Sequence, residues 1–176
     1  NGNLGIIASR FALSAPLFKK KGAIILGGRL TYLDLFVIPL ITSNAKNKSF
    51  FNKDNVYNFY DLNAGLSLNL TGRDEISLSA YHGRDNYSMH QEGIKQKNML
   101  YWGNTIASFD WKHTFRNEAA WNSSFSRTKY VFDLKGSQNE YYFKLFSSVE
   151  DYNLKSDITF TAGNHSLVTG FELTDH

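Results

Sequence analysis

The chain has 176 residues, 19 Lys+Arg against 16 Asp+Glu for a net charge of +3, 42% hydrophobic residues, two prolines and no cysteine. That is enough chain for one sizeable domain and too much apolar content for a disordered tail, and a mean hydropathy of −0.36 excludes a bundle of membrane helices. The absence of cysteine excludes disulfide scaffolds, thiolate zinc sites and cysteine nucleophiles, while scattered charges make nucleic acid a poor partner.

The opening Asn1-Gly2-Asn3-Leu4 lacks a Met, a basic segment and an apolar segment, so it is not a signal peptide, and the chain reads as a mature form or a piece of a longer one. Fourteen Phe and ten Tyr stand among many Asn, Ser, Thr and Gly, a composition of strands and polar turns. Taken in order, strands are predicted over 5–17, 23–35, 57–71, 75–87, 99–115, 119–134, 141–161 and 165–174. The third is the clearest: Leu62, Ala64, Leu66, Leu68 and Leu70 alternate with Asn63, Gly65, Ser67 and Asn69. The fifth repeats it, with Ala107, Phe109, Trp111 and Phe115 against Ser108, Asp110, Lys112 and Thr114. No segment shows the i, i+3, i+4 spacing of a helix, so the fold class is all-β.

Short polar turns fall at 19–22, 72–75, 116–118 and 162–164, and longer polar segments at 36–58, 84–100 and 135–150. A tight turn at one end and a long loop at the other is the plan of an antiparallel transmembrane β-barrel, and a soluble sandwich has no reason to sort its loops in this way. A strand rising ~3.4 Å per residue at ~45° gains about 2.4 Å along the membrane normal, so Trp102 to Trp111 spans about 22 Å, close to the ~25 Å apolar band of such barrels. Tyr60, Tyr101 and Trp102 are candidate girdle aromatics; Arg29, Asn63, Asn69, Asp110, Lys112, Lys155 and Asp157 are expected on the opposite, wet face. Eight strands would just close a small barrel. The last segment stops at His176 without a terminal aromatic, which favours a partial barrel over 1–176 as part of a larger one.

Several segments resemble the TonB-dependent outer-membrane receptors, particularly the Bacteroidetes type. Residues 2–35, with Ala15-Pro16 before a basic turn and Arg29, Thr31 and Tyr32 on the return, are similar to the first barrel hairpin after the plug domain. Residues 59–87, with Asp61-Leu62-Asn63 entering and Gly83-Arg84-Asp85 leaving, resemble a second hairpin, and GNHSLVTGFELTDH resembles the turn and strand of a fourth. The resemblance runs over the whole chain, on structural signatures rather than chemical ones. It implies a barrel of about 22 strands, of which this chain supplies about eight, in the cell outer membrane of a Gram-negative bacterium. It also implies active nutrient uptake (siderophore, vitamin, glycan or peptide) with no enzymatic activity and no cofactor. The implied partners are outer-membrane lipid, the plug domain and remaining strands, TonB, and a SusD-like surface lipoprotein. Two other readings remain: a self-contained eight-stranded barrel with a structural or adhesion role, and a soluble lipocalin-like binding barrel.

Chemistry is sparse. His82, His90, His113, His165 and His176 show no paired spacing; His82 and His90 with Asp85 and Glu92 form a conceivable surface metal site, but solvated loop residues are the better reading. Gly27-Gly28 has no helix after it and is not a phosphate loop; it marks close approach of a plug or a neighbouring strand. Sequons at Asn47, Asn69, Asn86, Asn122 and Asn164 are little above chance in so Asn-rich a chain. No nucleophile elbow is present. The candidate contacts for a nutrient or lid protein are therefore the external-rim residues Arg84, Asp85, Glu92, Tyr101, Trp102 and Tyr141.

Overall fold

The computed structural model describes residues 2–5, 8–32, 56–91, 95–116, 119–162 and 165–176. These form one antiparallel sheet of nine strands in sequential order. The strands are β1 (Gly2–Leu4), β2 (Ala8–Leu17), β3 (Gly22–Thr31), β4 (Val56–Asn69), β5 (Asp74–Gln91), β6 (Gln96–Thr114), β7 (Ala120–Gln138), β8 (Tyr141–Ala162) and β9 (His165–Asp175). Eight correspond to the predicted strands; the ninth, β1, is a short piece that folds back on β2 with Leu4 opposite Ser9. β1 and β9 do not pair, so the sheet is open rather than closed into a barrel.

Two of the three expected long loops are corrected. Residues 84–91 and 96–100 continue β5 and β6, and the stretches on either side of Asn139 continue β7 and β8, with ladders running out to Gln91 opposite Gln96 and Gln138 opposite Tyr141. Lys95 and Asn139 take φ values of 46° and 54°, the left-handed conformation that tight hairpins require. Polar sequence there marks a solvated strand, not a loop. The third segment, 36–58, falls on residues outside those described until 56. As a result β5 to β8 are 18, 19, 19 and 22 residues long, about twice the ~9–11 needed to span a bilayer.

Unbroken alternation gives the sheet two faces, named here for Leu62 and Asn63. Leu26, Leu62, Leu78, Phe109, Phe125, Leu154 and Leu173 share the leucine face. Arg29, Asn63, Asn69, Asp110, Lys112, Lys155 and Asp157 all share the asparagine face, as expected. Among the described residues no second layer covers either. Among the described residues the only buried hydrophobic side chain is Ala119, and the leucine-face residues just named are 40–60% exposed. Gly28 allows a close approach. The ring of its cross-strand neighbour Phe11 lies over the space that a Cβ would take, so the partner that the glycine admits is an aromatic from β2.

The upper border of the apolar band runs obliquely to the hydrogen-bond ladders. Tyr60 tops it on β4, in a ladder that reaches Ser148 on β8, but Tyr152 tops it on β8, four residues nearer the short turns. A drop of about 3.4 Å per residue against about 4.8 Å per strand corresponds to a strand tilt of about 35°.

Candidate membrane and ligand surfaces

The apolar band on the leucine face has a distinct border at each end. Toward the short turns it ends in aromatics with polar handles. Trp111 and Trp121 pack edge to face with centroids 4.9 Å apart, Trp111 Nε1 donates to Asp74 Oδ1 (3.3 Å), and Trp121 Nε1 donates to Ser156 Oγ (2.8 Å). His113 and Phe115 continue the cluster, with centroids 4.6 Å apart. At the upper border the phenols of Tyr60 and Tyr152 reach His82 Nε2 (3.1 Å) and Glu150 Oε1 (2.7 Å). Side chains with an apolar body and a polar tip suit a boundary between hydrocarbon and water. Of the expected girdle, Tyr60 and Tyr101 lie on this face. Trp102 does not: nine residues separate it from Trp111, an odd number, so the two rings point to opposite sides.

Above the border the two faces exchange character. On the leucine face the apolar rows give way to Arg84, Lys97, Arg127, Lys129, Lys135 and Lys144, against the carboxylates Asp133, Glu150 and Asp175. Glu150 is shared, by Arg127 at 2.5 Å and Lys129 at 3.0 Å. On the asparagine face the rows become aromatic and aliphatic: Phe59, Asp85, Trp102 and Phe132 stand side by side, beneath Tyr57, Tyr87, Leu100 and Leu134. Tyr57 donates to Asp85 Oδ1 (2.8 Å), and the Arg29 guanidinium lies 4.5 Å from the Phe59 ring centroid while pairing with Asp61. Below this wall the asparagine face is polar, with a hollow of about 490 Å³ lined by Glu75, Asp110, Lys112, Asn122, Lys155 and Asp157.

The chain matches no family model and no curated protein.

The candidate rim residues are not brought into one site. Arg84 and Tyr101 meet on the leucine face, the guanidinium 4.3 Å from the ring centroid. Asp85 and Trp102 are cross-strand neighbours on the other face. Tyr141 sits at the tip of β8, six residues beyond Ser147 in the Trp102 ladder, or about 20 Å along the strand. Glu92 lies outside the described residues. The histidine pair is likewise split from its acid, because His82 and His90 share the leucine face and Asp85 does not. His82 is held by Tyr60 and by Thr105 Oγ1 (2.8 Å). Among the described residues no group of three or more potential metal ligands forms. The residues that sequence reasoning missed are the aromatic wall of Tyr57, Phe59 and Phe132 and the ionic cluster of Arg127, Lys129 and Glu150.

Proposed function

We propose that the chain is a wall segment of a TonB-dependent transporter barrel in the outer membrane of a Gram-negative cell. Lipid lies against its leucine face and the transport lumen against its asparagine face. The observation that carries this reading is an open sheet, without a core among the described residues, whose leucine face carries a band of exposed apolar side chains level with a largely polar stretch of the asparagine face. In water such a face is a severe liability, whereas in hydrocarbon it is satisfied, with every inner strand hydrogen-bonded on both sides. Nine strands exceed the eight at which a small barrel closes, which favours a larger barrel over a self-contained one. A soluble lipocalin-like barrel would turn its apolar alternates inward and bury the tyrosine and cationic border of the same face with them.

In this reading the parent supplies the plug domain and the remaining strands, and TonB acts through the plug side. The polar hollow around Asp110, Lys112 and Lys155 faces the plug. The aromatic wall around Trp102, carrying Asp85, faces an incoming nutrient beneath any SusD-like lid. The deciding experiment is the mass of the native polypeptide in isolated outer membranes, identified by peptides of this sequence. A mass several times 20.1 kDa supports the transporter reading. A mass near 20.1 kDa means that the strands close on themselves, and the transport proposal is withdrawn.

A further inference from the structure

The cationic border of the leucine face contains a notch at Gly103. A Cβ there would meet the Gly83 carbonyl oxygen at 2.6 Å, so the floor is bare backbone, and the walls are His82, Arg84, Tyr101, Thr105, Lys129 and Val131. Its volume of about 150 Å³ is about five times the ~30 Å³ that a water takes in the liquid. Arg84 is held over Tyr101 and donates Nε to Asn86 Oδ1 (3.0 Å), and among the described residues no carboxylate pairs with it. Of the nearby acids, Glu150 is already divided between Arg127 and Lys129, and Asp133 faces Lys135 at 3.4 Å. The notch thus keeps an excess of positive charge around a space free of side chains.

What lies directly beneath it narrows the class of ligand. The next row toward the short turns is Ala64, Ala80 and Ala107, three small side chains opening onto the half-buried Leu66 and the exposed Leu78 and Phe109. A cationic notch set on an apolar slope fits an amphiphile with an anionic head and an acyl tail. A guanidinium and an ammonium on the walls of one notch suit a phosphate group.

We propose that this notch binds the phosphate of a membrane lipid headgroup, whose acyl chain lies over the alanine row. The proposal rests on the barrel reading above. The test is native mass spectrometry of the full-length protein in detergent, with phosphatidic acid, phosphatidylcholine and inorganic phosphate as probes. Phosphatidic acid should be retained about tenfold over phosphatidylcholine, and inorganic phosphate should not displace it. Arg84→Gln with Lys129→Gln should bring the ratio near one. Thr105→Leu, which fills the notch without changing charge, should do the same. Lys112→Gln on the other face should leave the ratio intact.

An unchanged ratio in the notch variants overturns the proposal, as does an equal loss in Lys112→Gln. Competition by inorganic phosphate would make the notch a soluble-anion site and overturn the lipid assignment. Quenching of Trp111 and Trp121 by brominated acyl chains separates the two claims. Quenching together with an unaffected ratio removes only the notch, while absence of quenching removes the barrel reading as well.

Discussion

At the scale of single residues, the β4–β5 turn shows how a short connection is fixed. The Thr71 hydroxyl donates to Asp74 Oδ2 (2.6 Å) and accepts from the amides of Arg73 and Asp74 (3.1 and 3.0 Å). His113 Nδ1 lies 2.7 Å from Asp74 Oδ1. The Thr71 hydroxyl first, and then His113, hold the Asp74 carboxyl below its ordinary range. A carboxyl depressed in the folded state contributes stability that is complete above its unfolded value and is lost as the pH falls through the folded one. Exchange protection of the Arg73 and Asp74 amides should therefore decline only below about pH 4. In Asp74→Asn that acid decline should be absent, as measured by hydrogen exchange across the acid range.

At the scale of the strand, the exchange of faces makes a depth-dependent prediction. Leu78→Arg places a charge in the middle of the apolar band and should cost about 2–4 kcal/mol in lipid vesicles. Ser148→Arg, on the same face but above the border, should cost at most about 1 kcal/mol. Ser79→Arg, one residue along and on the other face, should stay within about 1 kcal/mol. Denaturant titration of the three variants in vesicles checks the order, and equal costs at positions 78 and 79 would contradict the two-faced assignment.

The same feature shows what the sequence made legible. Strict alternation over 62–70 and 105–115 marks two strands outright, and weaker alternation places the other six to within about four residues at their ends, because a period of two survives wherever one face is uniformly apolar. The upper parts of β5 to β8 read as loops in the sequence because their polar and apolar sets change phase. On β7 the apolar series passes from the odd Trp121 and Phe125 to the even Tyr130, Phe132 and Leu134. On β6 it passes from the even Leu100, Trp102 and Ile106 to the odd Ala107, Phe109 and Trp111. In sequence a change of phase looks like lost periodicity, whereas in the sheet it is two environments stacked along one strand. The rim residues were misgrouped for the same reason, since Tyr101 and Trp102 are neighbours in sequence and face opposite sides. The ionic cluster of Arg127, Lys129 and Glu150 left no signal of its own, because it depends on the register between β7 and β8.

For the molecule as a whole, the slant of the apolar band ties strand direction to the membrane plane. If lipid covers that band, polarised infrared dichroism of oriented bilayers holding the protein should give a mean strand tilt of about 35°, against a barrel range of about 35–45°. Strands standing nearly upright would separate the slanted border from the bilayer surface and count against the membrane reading.

The strictly sequential order of the nine strands also sets how the sheet answers a mechanical load. Each strand is hydrogen-bonded only to the strands before and after it in the chain, and among the described residues no second layer clamps them from behind. A pull on one edge therefore loads a single ladder at a time, and the wall opens like a zip, hairpin after hairpin, in the order in which it is written. The weakest tooth is not in the middle. The β1–β2 ladder joins only three residue pairs, against nineteen between β7 and β8. Force applied from the β1 side meets little resistance at first and the most once it reaches the long strands.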